Sequence, residues 1–489
     1  MNEELRAHSL HGTWAVDRLP TGRRLIGCRW VYTVKDRADG SVPLYKARLV
    51  AQGFRTIAGI DYTETFSPVI RFESLRVLFA LAAQFHLQIE QLDVRTAFLN
   101  GTLPTPVYMS PPPGVNLGSP DAVCRLIRSI YGLPNSPLCF YLKIHSVLVE
   151  FGLTRSTYEY GLYFKVSSTG ILLVSLYVDD LALVSNDPAL VAAVKAKLTS
   201  VFEMKDLGKV SNFLGMSVSQ TPGRVSLDLE VYLTRLLQDF GMSHCNPVAT
   251  PLPPSIDLAS DTSPLLSDSS VYRSMVGKLI FACNTVRPDL AFSVSTLSRY
   301  LSSPREGHLT AAKHVLRYVK GTLHLKLVYR HSSSFKITGY CDADWAGDKS
   351  DRKSTSGYFF SISGAPVIWK SKKQHSIALS STESEYISLS ASVKDLLWLT
   401  QLLKTIHLQP QQITEIFEDN EGCIALANHP AHHERTKHID IRYHFLRFYV
   451  KSVFVICPIA TVDNPADTLT KPLAREKFVK FRELLGLTI

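Results

Sequence analysis

The strongest constraint on the fold is a pair of adjacent carboxylates inside the most apolar stretch of the chain. Ile171–Tyr177 and Leu181–Ser185 have the composition of buried strands, and Val178, Asp179 and Asp180 lie between them. Burying two neighbouring carboxylates is strongly unfavourable unless a cation neutralises them. The alternative is an exposed turn, where aspartate is common. The sequence therefore predicts a hairpin whose turn is either a metal site or an ordinary polar turn.

A further acidic residue, Asp93, lies in a strand-like segment between Leu92 and Val94. Alone, it fits a cap or turn residue at a strand end. Combined with the doublet, it can hold two divalent metal ions about 3.5–4 Å apart, which activate a 3′-hydroxyl and stabilise the leaving pyrophosphate. Carboxylate oxygens suit Mg²⁺, which binds substrate phosphates alongside.

Length and composition limit the class of protein. A chain of 489 residues should contain two or more cores. Its net charge of +10 favours a polyanionic partner. The cysteines include no Cys-x-x-Cys pair, which argues against a zinc ribbon and a secreted disulfide scaffold and favours a reducing compartment. With no signal-peptide pattern and no apolar run near the ~20 residues that span a bilayer, we expect a soluble intracellular protein.

The last third of the chain differs from the rest in the order of its predicted strands and helices. Residues 250–270, rich in Pro, Ser and Asp, resemble a linker. From about residue 337, three strand candidates are followed by a long helix from Glu383 and then by alternating strands and helices, which predicts a separate α/β domain. We place the boundary near 325–336.

Acidic residues in this last third lie where strands end or helices begin, so they can converge on one edge of a sheet as a second two-metal site that hydrolyses phosphodiesters. Each also has a structural explanation. Glu383 and Glu385 both fit a helix capping box, and Asp419 and Asp467 lie near helix starts, where acids are favoured. A zinc site is disfavoured because no cysteine lies at a usable spacing from the local histidines; these are His432, His433, His438 and His444.

The first half resembles reverse transcriptases of copia-type (Pseudoviridae) LTR retrotransposons. The motifs that carry the resemblance are Tyr45-Lys-Ala-Arg-Leu-Val-Ala51, Phe66-Ser-Pro-Val69, Gln91-Leu-Asp-Val94, Ala97-Phe-Leu-Asn-Gly101, Ser129-Ile-Tyr-Gly-Leu133 and Tyr177-Val-Asp-Asp180. The resemblance implies that Asp93, Asp179 and Asp180 are palm metal ligands. It also implies that Phe98 lies against the sugar and selects deoxynucleotides.

Lys46 and Arg48 are the basic residues expected to contact the triphosphate or the template backbone. A solvated strand edge is their alternative, and core packing is that of Phe98. One stretch departs from the family pattern: Lys-Gln-Ala-Pro-Arg is expected after Leu133, but the chain reads Pro134-Asn-Ser-Pro-Leu138. Two basic side chains are therefore missing there.

The last third resembles the ribonuclease H of the same elements. Its motifs are Asp348-x-x-Asp-Arg-Lys-Ser-Thr-Ser-Gly-Tyr358, Trp369-x-Ser-Lys-Lys-Gln374, Arg435-Thr-Lys-His-Ile-Asp-Ile-Arg-Tyr-His-Phe445 and Leu469-Thr-Lys-Pro-Leu473. The implied metal ligands are Asp342, Glu385, Asp419 and Asp467, with Glu383 as the rival for the second position. Basic residues of 370–373 and 435–447 are expected to contact hybrid phosphates, with little base readout.

Together these resemblances imply an α+β right-hand polymerase with fingers, palm and thumb, followed by a connection and an α/β ribonuclease H-like domain. The expected bounds are 12–255 for the polymerase, 256–335 for the connection, 336–475 for the ribonuclease H-like domain and 476–489 for a C-terminal helix.

The implied function is an RNA-directed DNA polymerase that uses Mg²⁺ or Mn²⁺ and cleaves RNA in RNA–DNA hybrids. Its partners would be an RNA template, a DNA primer, the RNA–DNA hybrid and deoxynucleoside triphosphates. Its expected location is the cytoplasm, in a virus-like particle, with a nuclear fraction allowed. The alternatives are a degenerate fragment that binds nucleic acid without polymerising and a host protein that retains only ribonuclease H activity.

Overall fold

The computed structural model describes residues 1–35, 43–428 and 440–489, which form two compact units. The first unit is Met1–Ile70 with Glu90–Gly208, and the second is Arg71–Ile89 with Lys209–Ile489.

The helices are α1 (Asn2–Leu10), α2 (Phe72–Gln84), α3 (Ser136–Glu150), α4 (Pro188–Thr199), α5 (Glu230–Asp239), α6 (Ser270–Thr285), α7 (Ala291–Ser298), α8 (Glu306–Gly321), α9 (Ser381–Thr405), α10 (Glu421–Asn428), α11 (Asp440–Tyr449) and α12 (Arg475–Leu484). The strands are β1 (Trp14–Arg18), β2 (Leu25–Ile26), β3 (Cys28–Lys35), β4 (Leu44–Ala51), β5 (Gln88–Val94), β6 (Thr102–Met109), β7 (Ala122–Arg128), β8 (Thr154–Arg155), β9 (Leu162–Val166), β10 (Ile171–Tyr177), β11 (Asp180–Ser185), β12 (Met204–Lys209), β13 (Asn212–Phe213), β14 (Met216–Thr221), β15 (Arg224–Asp228), β16 (Lys326–Arg330), β17 (Thr338–Ala343), β18 (Thr355–Ile362), β19 (Ala365–Lys373), β20 (Thr414–Glu418), β21 (Phe454–Pro458) and β22 (Leu487–Thr488).

The first unit is built around a six-stranded sheet with the order β12-β5-β11-β10-β9-β8. β10 and β11 form the predicted antiparallel hairpin, from Leu172 opposite Ser185 to Tyr177 opposite Asp180. Helices α3 and α4 pack on this sheet and share one apolar core with it. The near-continuous apolar sequence of the hairpin follows from its burial, since strands covered on both faces do not alternate with polar residues.

Two smaller sheets complete the first unit. β3 and β4 form a two-stranded hairpin in which Val31 faces Arg48 and Thr33 faces Lys46. The other sheet has the order β1-β7-β6-β2. Buried residues of β4 and of this second sheet share a core that is separate from that of the six-stranded sheet. Side chains alternate along a strand, so Lys46 and Arg48 lie on the same face of β4.

The second unit contains a five-stranded mixed sheet with the order β19-β18-β17-β20-β21. β17, β18 and β19 are antiparallel, whereas β20 pairs in parallel with both β17 and β21. The 25-residue α9 packs on β17 and β18. This is the α/β arrangement predicted for the last third of the chain, because the strand triplet is followed by a helical crossover to a parallel strand.

A second sheet of this unit, with the order β13-β14-β15-β16-β22, joins segments that are far apart in sequence. Helix α2 packs on β15, β16 and β19, and its Arg76 guanidinium lies 3.7 Å from the centre of the Trp369 ring. Helix α2 lies within the predicted polymerase range 12–255. Its contacts nevertheless assign it to the second unit.

The C-terminal segment differs in part from the prediction of a helix over 476–489. Helix α12 ends at Leu484, and Leu487–Thr488 forms a strand that pairs with Lys326 and Leu327 of β16. Gly486, with φ of 71°, reverses the chain between the two elements. Across the described residues, no helix is both long enough and apolar enough to cross a membrane.

Candidate active sites

The turn of the apolar hairpin carries the first candidate site. Val178 has φ of 54°, a strained conformation for a β-branched residue. The Val94 backbone N–H donates to the Asp179 carbonyl oxygen at 2.9 Å, so the end of β5 is bonded to the turn. Burial raises the pKa of Asp179, and the Asp93 carboxylate raises it further. Asp93 and Asp179 therefore lie close enough to repel each other, and Asp180 begins the adjoining strand.

Basic and aromatic groups of the first unit flank this turn. Arg48 and Lys46 both lower the pKa of Asp179 by their charge, although burial dominates. The Arg48 guanidinium lies 5.0 Å from the centre of the Tyr131 ring. That ring makes an edge contact with Phe98, with 4.9 Å between centroids. The structure thus links each predicted substrate-binding residue to the carboxylates, and it adds Tyr131, a residue of the Ser129–Leu133 motif to which the sequence assigned no role.

The second candidate site is a group of three carboxylates. One oxygen each of Asp342, Glu385 and Asp419 lies within 4.8 Å of the other two. In the described part of the chain, this is the only group of three or more acidic, histidine or cysteine side chains that meets this distance, so Asp93, Asp179 and Asp180 do not form one.

Backbone pairing brings these three residues together. Tyr340 of β17 lies opposite Phe417 of β20 in the parallel ladder. Asp342 and Asp419, each two residues further along the chain, therefore emerge side by side. The Ser388 hydroxyl donates to the Asp342 carbonyl oxygen at 2.9 Å and fixes α9 against the same strand. Glu385 lies about one helical turn before Ser388, which places its carboxylate over the strand ends.

Glu383, the rival for the second position, lies in the helix cap instead. Its backbone N–H donates to the Ser380 hydroxyl at 3.2 Å, and its Oε2 accepts from the Leu379 N–H at 2.9 Å. The capping-box pattern at Ser380–Glu383 therefore describes a real cap. Glu385, for which the same pattern was an alternative, lies among the carboxylates.

Asp467 lies beside this group but is engaged by lysines. It belongs to a 3₁₀ turn, Pro465–Leu469, that is bonded to β17 because Asn464 Nδ2 donates to the Cys341 carbonyl oxygen at 2.8 Å. Lys471 Nζ lies 2.5 Å from Asp467 Oδ1, and Lys477 Nζ lies 2.5 Å from Oδ2. The Thr470 hydroxyl donates to Asp342, which couples the turn to the three-carboxylate group.

The donor set fits a hard divalent cation. Burial raises the pKa of Asp342 and Glu385, and the neighbouring acids raise both pKa values further. Glu385 Oε2 is buried and has no hydrogen-bond partner among the described residues. Buried carboxylates without partners are costly, and a cation bound by oxygen ligands removes that cost.

Comparisons with known proteins show which family this chain resembles. The family described as reverse transcriptase (RNA-dependent DNA polymerase) matches residues 11–254. The chain is 38% identical, over its whole length, to the Pol polyproteins of the transposons TNT 1-94 from Nicotiana tabacum and RE1 from Arabidopsis thaliana, of which it covers 37% and 33%. It is 41% identical over 62% of its length to a transposon Ty5-1 protein of Saccharomyces cerevisiae, which it covers completely.

This chain belongs to the reverse transcriptase family of copia-type retrotransposons. It spans about a third of the length of the curated plant Pol polyproteins that it matches. A solved foamy viral protease-reverse transcriptase in complex with double-stranded DNA is 13% identical, with a TM-score of 0.51 over 94% of this chain and 69% of that one. That likeness confirms the predicted fold class.

The stretch that departs from the copia-type pattern begins α3. Asn135 is buried and precedes Ser136, whose hydroxyl donates to the Ile130 carbonyl oxygen at 2.6 Å. Pro134 packs so closely on Gly53 that a Cβ added to this glycine would lie 2.9 Å from the proline Cδ. The segment is thus well packed, but it presents none of the basic side chains expected from the copia-type pattern.

Two further acids near the second site were missed from the sequence. Glu418 is fully buried at the end of β20, its Oε2 has no partner among the described residues, and burial with the charges of Asp419 and Asp342 raises its pKa well above the ordinary value. Burial raises the pKa of Asp344 to about 6. Their burial arises from long-range packing, which leaves no local signal.

The histidines considered for zinc belong to the segment around residues 429–444. His432, His433 and His438 lie outside the described residues, as does the side chain of His444. Residues 435–439 of the predicted phosphate-contacting segment lie outside them too.

A basic cavity of about 290 Å³ lies in the second unit between β18, β19, α9 and α11. Lys372, Lys394 and Arg442 contribute cations to its wall, together with Lys373, which also pairs with Asp348 at 2.5 Å, and these cations outnumber the single lining acid, Asp395. Arg442 Nη1 is buried without a hydrogen-bond partner among the described residues. The cavity therefore suits an anionic group.

Proposed function

We propose that this chain is an RNA-directed DNA polymerase. The observation that carries the proposal is the bond between the end of β5 and the hairpin turn, which brings Asp93 beside Asp179 in the half that matches the reverse transcriptase family. In this proposal Asp93, Asp179 and Asp180 bind Mg²⁺. The bound metal would lower the pKa of the primer 3′-hydroxyl and neutralise charge on the leaving pyrophosphate.

The flanking residues position the nucleotide. Lys46 and Arg48 project from one face of β4 and bind the triphosphate or the template backbone as cations. Phe98, held at its edge by Tyr131, excludes a 2′-hydroxyl and so selects deoxynucleoside triphosphates. An RNA template and a DNA primer are the expected partners, and the cytoplasm, within a virus-like particle, is the expected location.

The same chain would cleave RNA in RNA–DNA hybrids. The three-carboxylate group at Asp342, Glu385 and Asp419 supports this second activity, because it offers hard ligands at one sheet edge. Another foamy viral structure, 13% identical to this chain, is a protease-reverse transcriptase in complex with an RNA/DNA hybrid. The basic cavity beside β19 and α9 would hold a backbone phosphate of the hybrid, and Arg442 would donate to it. The proposed domain bounds are 12–255 for the polymerase, 256–335 for the connection and 336–475 for the ribonuclease H-like domain.

Two substitutions test the two activities separately. Asp180→Asn is expected to abolish primer extension and to leave hybrid cleavage intact, and Asp419→Asn is expected to do the reverse. Both are assayed on the same preparation with an RNA template annealed to a DNA primer and with a labelled hybrid, each in Mg²⁺ and in Mn²⁺. If Asp180→Asn extends primers at the parent rate, the polymerase assignment is wrong.

One observation favours a second candidate, a chain that binds nucleic acid without polymerising. The loop before α3 lacks the basic side chains that the family carries there. Under this alternative the parent chain binds template and primer but does not extend, and the double variant Pro134→Lys, Asn135→Gln gains extension. Efficient extension by the parent chain would rule it out.

A further inference from the structure

Two lysines lie beside the three-carboxylate group of the second candidate site and contribute to its charge balance. Asp467 is completely buried, and each of its two carboxylate oxygens lies 2.5 Å from a different lysine Nζ, that of Lys471 or that of Lys477. A carboxylate paired in this way has little free capacity to bind a metal ion. Glu385 differs in that it forms no ion pair within 4.0 Å among the described residues, although Asp467 Oδ1 and Glu385 Oε2 both lack a hydrogen bond there.

Lys471 also reaches the metal-binding group itself. Its Nζ lies 3.9 Å from Asp342 Oδ2, so one ammonium group bridges Asp467 and Asp342. The backbone N–H of Lys471 donates to the Asp467 carbonyl oxygen at 3.2 Å, and the spacing of four residues sets the two side chains on one side of this turn. The ammonium is therefore built into the site by local backbone geometry.

Lys477 is held by the core of the second unit. It lies on α12 beside Phe478, whose ring packs edge-on against Tyr318 with 5.6 Å between centroids. The Tyr318 hydroxyl donates to Asp289 at 2.6 Å within a buried cluster. These contacts hold helix α12 in place, and Lys477 on this helix in turn holds Oδ2 of Asp467.

The positions of the charges point to one metal ion. Oxygens of Asp342, Glu385 and Asp419 lie within 4.8 Å of one another, whereas both oxygens of Asp467 lie beside lysines. A second divalent ion would have to approach the Lys471 ammonium, and like charges at such distances repel strongly in a partly buried site.

We propose that Lys471 serves as a permanent cation of the hybrid-cleavage site in the place of a second divalent metal, so that Asp342, Glu385 and Asp419 bind one ion. Lys477 acts as a positioning residue that holds Asp467, and through it Lys471. The inference rests on the proposed hybrid-cleavage function and concerns the number of metal ions rather than the reaction.

The test counts bound Mn²⁺ on the full chain by calorimetric titration and by electron paramagnetic resonance of the free ion. The ions that belong to this site are those lost in Asp419→Asn. We expect a difference of one ion between the parent chain and Asp419→Asn. In the background of Lys471→Met, which keeps most of the length of the side chain and removes its charge, we expect a difference of two.

Two controls accompany this measurement. Lys471→Arg retains the positive charge and should keep the count at one. Lys480→Met on α12 removes a lysine that pairs with Asp463 at 2.7 Å on the surface, so it should also leave the count at one. Circular dichroism and thermal melts of each variant show that a changed count belongs to a folded chain.

Loss of two ions from the parent chain in Asp419→Asn would overturn the inference, as would a count of one in folded Lys471→Met. If the parent chain cleaves hybrids and binds two ions here, only this inference fails. If the parent chain neither cleaves hybrids nor loses an ion in Asp419→Asn, the proposed hybrid-cleavage function fails with it.

Discussion

Replacing Glu385 by glutamine should make the metal-free protein more stable while removing hybrid cleavage. Glu385 is 6% exposed, and one of its oxygens lies within 4.8 Å of oxygens of Asp342 and Asp419. Burial, followed by the charge of Glu418, raises its pKa well above the ordinary value of 4.5. The glutamine side chain has nearly the same shape but carries no charge and needs no proton.

The magnitude follows from the cost of protonation. Each pKa unit corresponds to about 1.4 kcal/mol. Keeping a carboxyl group with an ordinary pKa of 4.5 protonated at pH 7 therefore costs at most about 3.5 kcal/mol. Because Glu385 Oε2 has no partner among the described residues, the substitution breaks no hydrogen bond of that atom. We expect a gain of about 1–3 kcal/mol in the free energy of unfolding, or roughly 3–9 °C in Tm for a domain of this size.

Thermal and urea unfolding at pH 7 in EDTA, repeated with Mg²⁺, measure this gain. Mg²⁺ should stabilise the parent chain by about 2–3 kcal/mol near a hundredfold excess over its Kd, and Glu385→Gln much less. Glu383→Gln is the matched control on the same helix. It replaces a charged acceptor for the Leu379 N–H by a neutral amide oxygen, so it should cost about 0.5–1 kcal/mol and keep the response to Mg²⁺. The reasoning is refuted if Glu385→Gln loses stability like the control, or if Mg²⁺ stabilises it as much as the parent chain.

Two further predictions concern the same unit. The folded pKa values of Glu385 and Glu418 lie above their unfolded values. Their contribution to metal-free stability is therefore fully present below about pH 4 and is lost as the pH rises through the folded pKa values. Urea melts in EDTA between pH 4 and 8 should show this decline in the free energy of unfolding, and a flat profile would contradict it. A Cβ added to Gly357 would lie 2.5 Å from Thr470 Cγ2, so Gly357→Ala should shift the turn that holds Asp467 and cost about 1–3 kcal/mol. Its hybrid cleavage should fall with primer extension unchanged, and an equal loss of both activities would count against this account.

Local sequence patterns were enough to predict much of the fold. The apolar runs predicted the β10–β11 hairpin. Asp187 is a common type of capping residue, and its carboxylate accepts from the Leu190 N–H at 3.0 Å at the start of α4. The long helix from Glu383 is present as α9 with two further residues at its start. In each case the signal lies within the element itself, in its periodicity or its capping residue.

The rest depends on contacts between distant residues. Nothing in the sequence around Lys471 or Lys477 identifies Asp467 as the partner of both. The full burial of Glu418 likewise follows from packing around β20, because the carboxylates that surround it come from other segments. The grouping of α2 with the second unit has the same origin, since its apolar face would suit any sheet.

The parallel ladder between β17 and β20 has an evolutionary consequence. Asp342 and Asp419 meet because each lies two residues beyond the Tyr340–Phe417 pair, so an insertion or deletion of one residue in either strand would send one carboxylate to the opposite face. Point mutations in these strands alter individual side chains, whereas a single-codon indel would separate the acids even if every motif letter were retained. In decaying genomic copies, codon-sized indels in these two short segments should therefore mark the loss of hybrid cleavage more reliably than substitutions do.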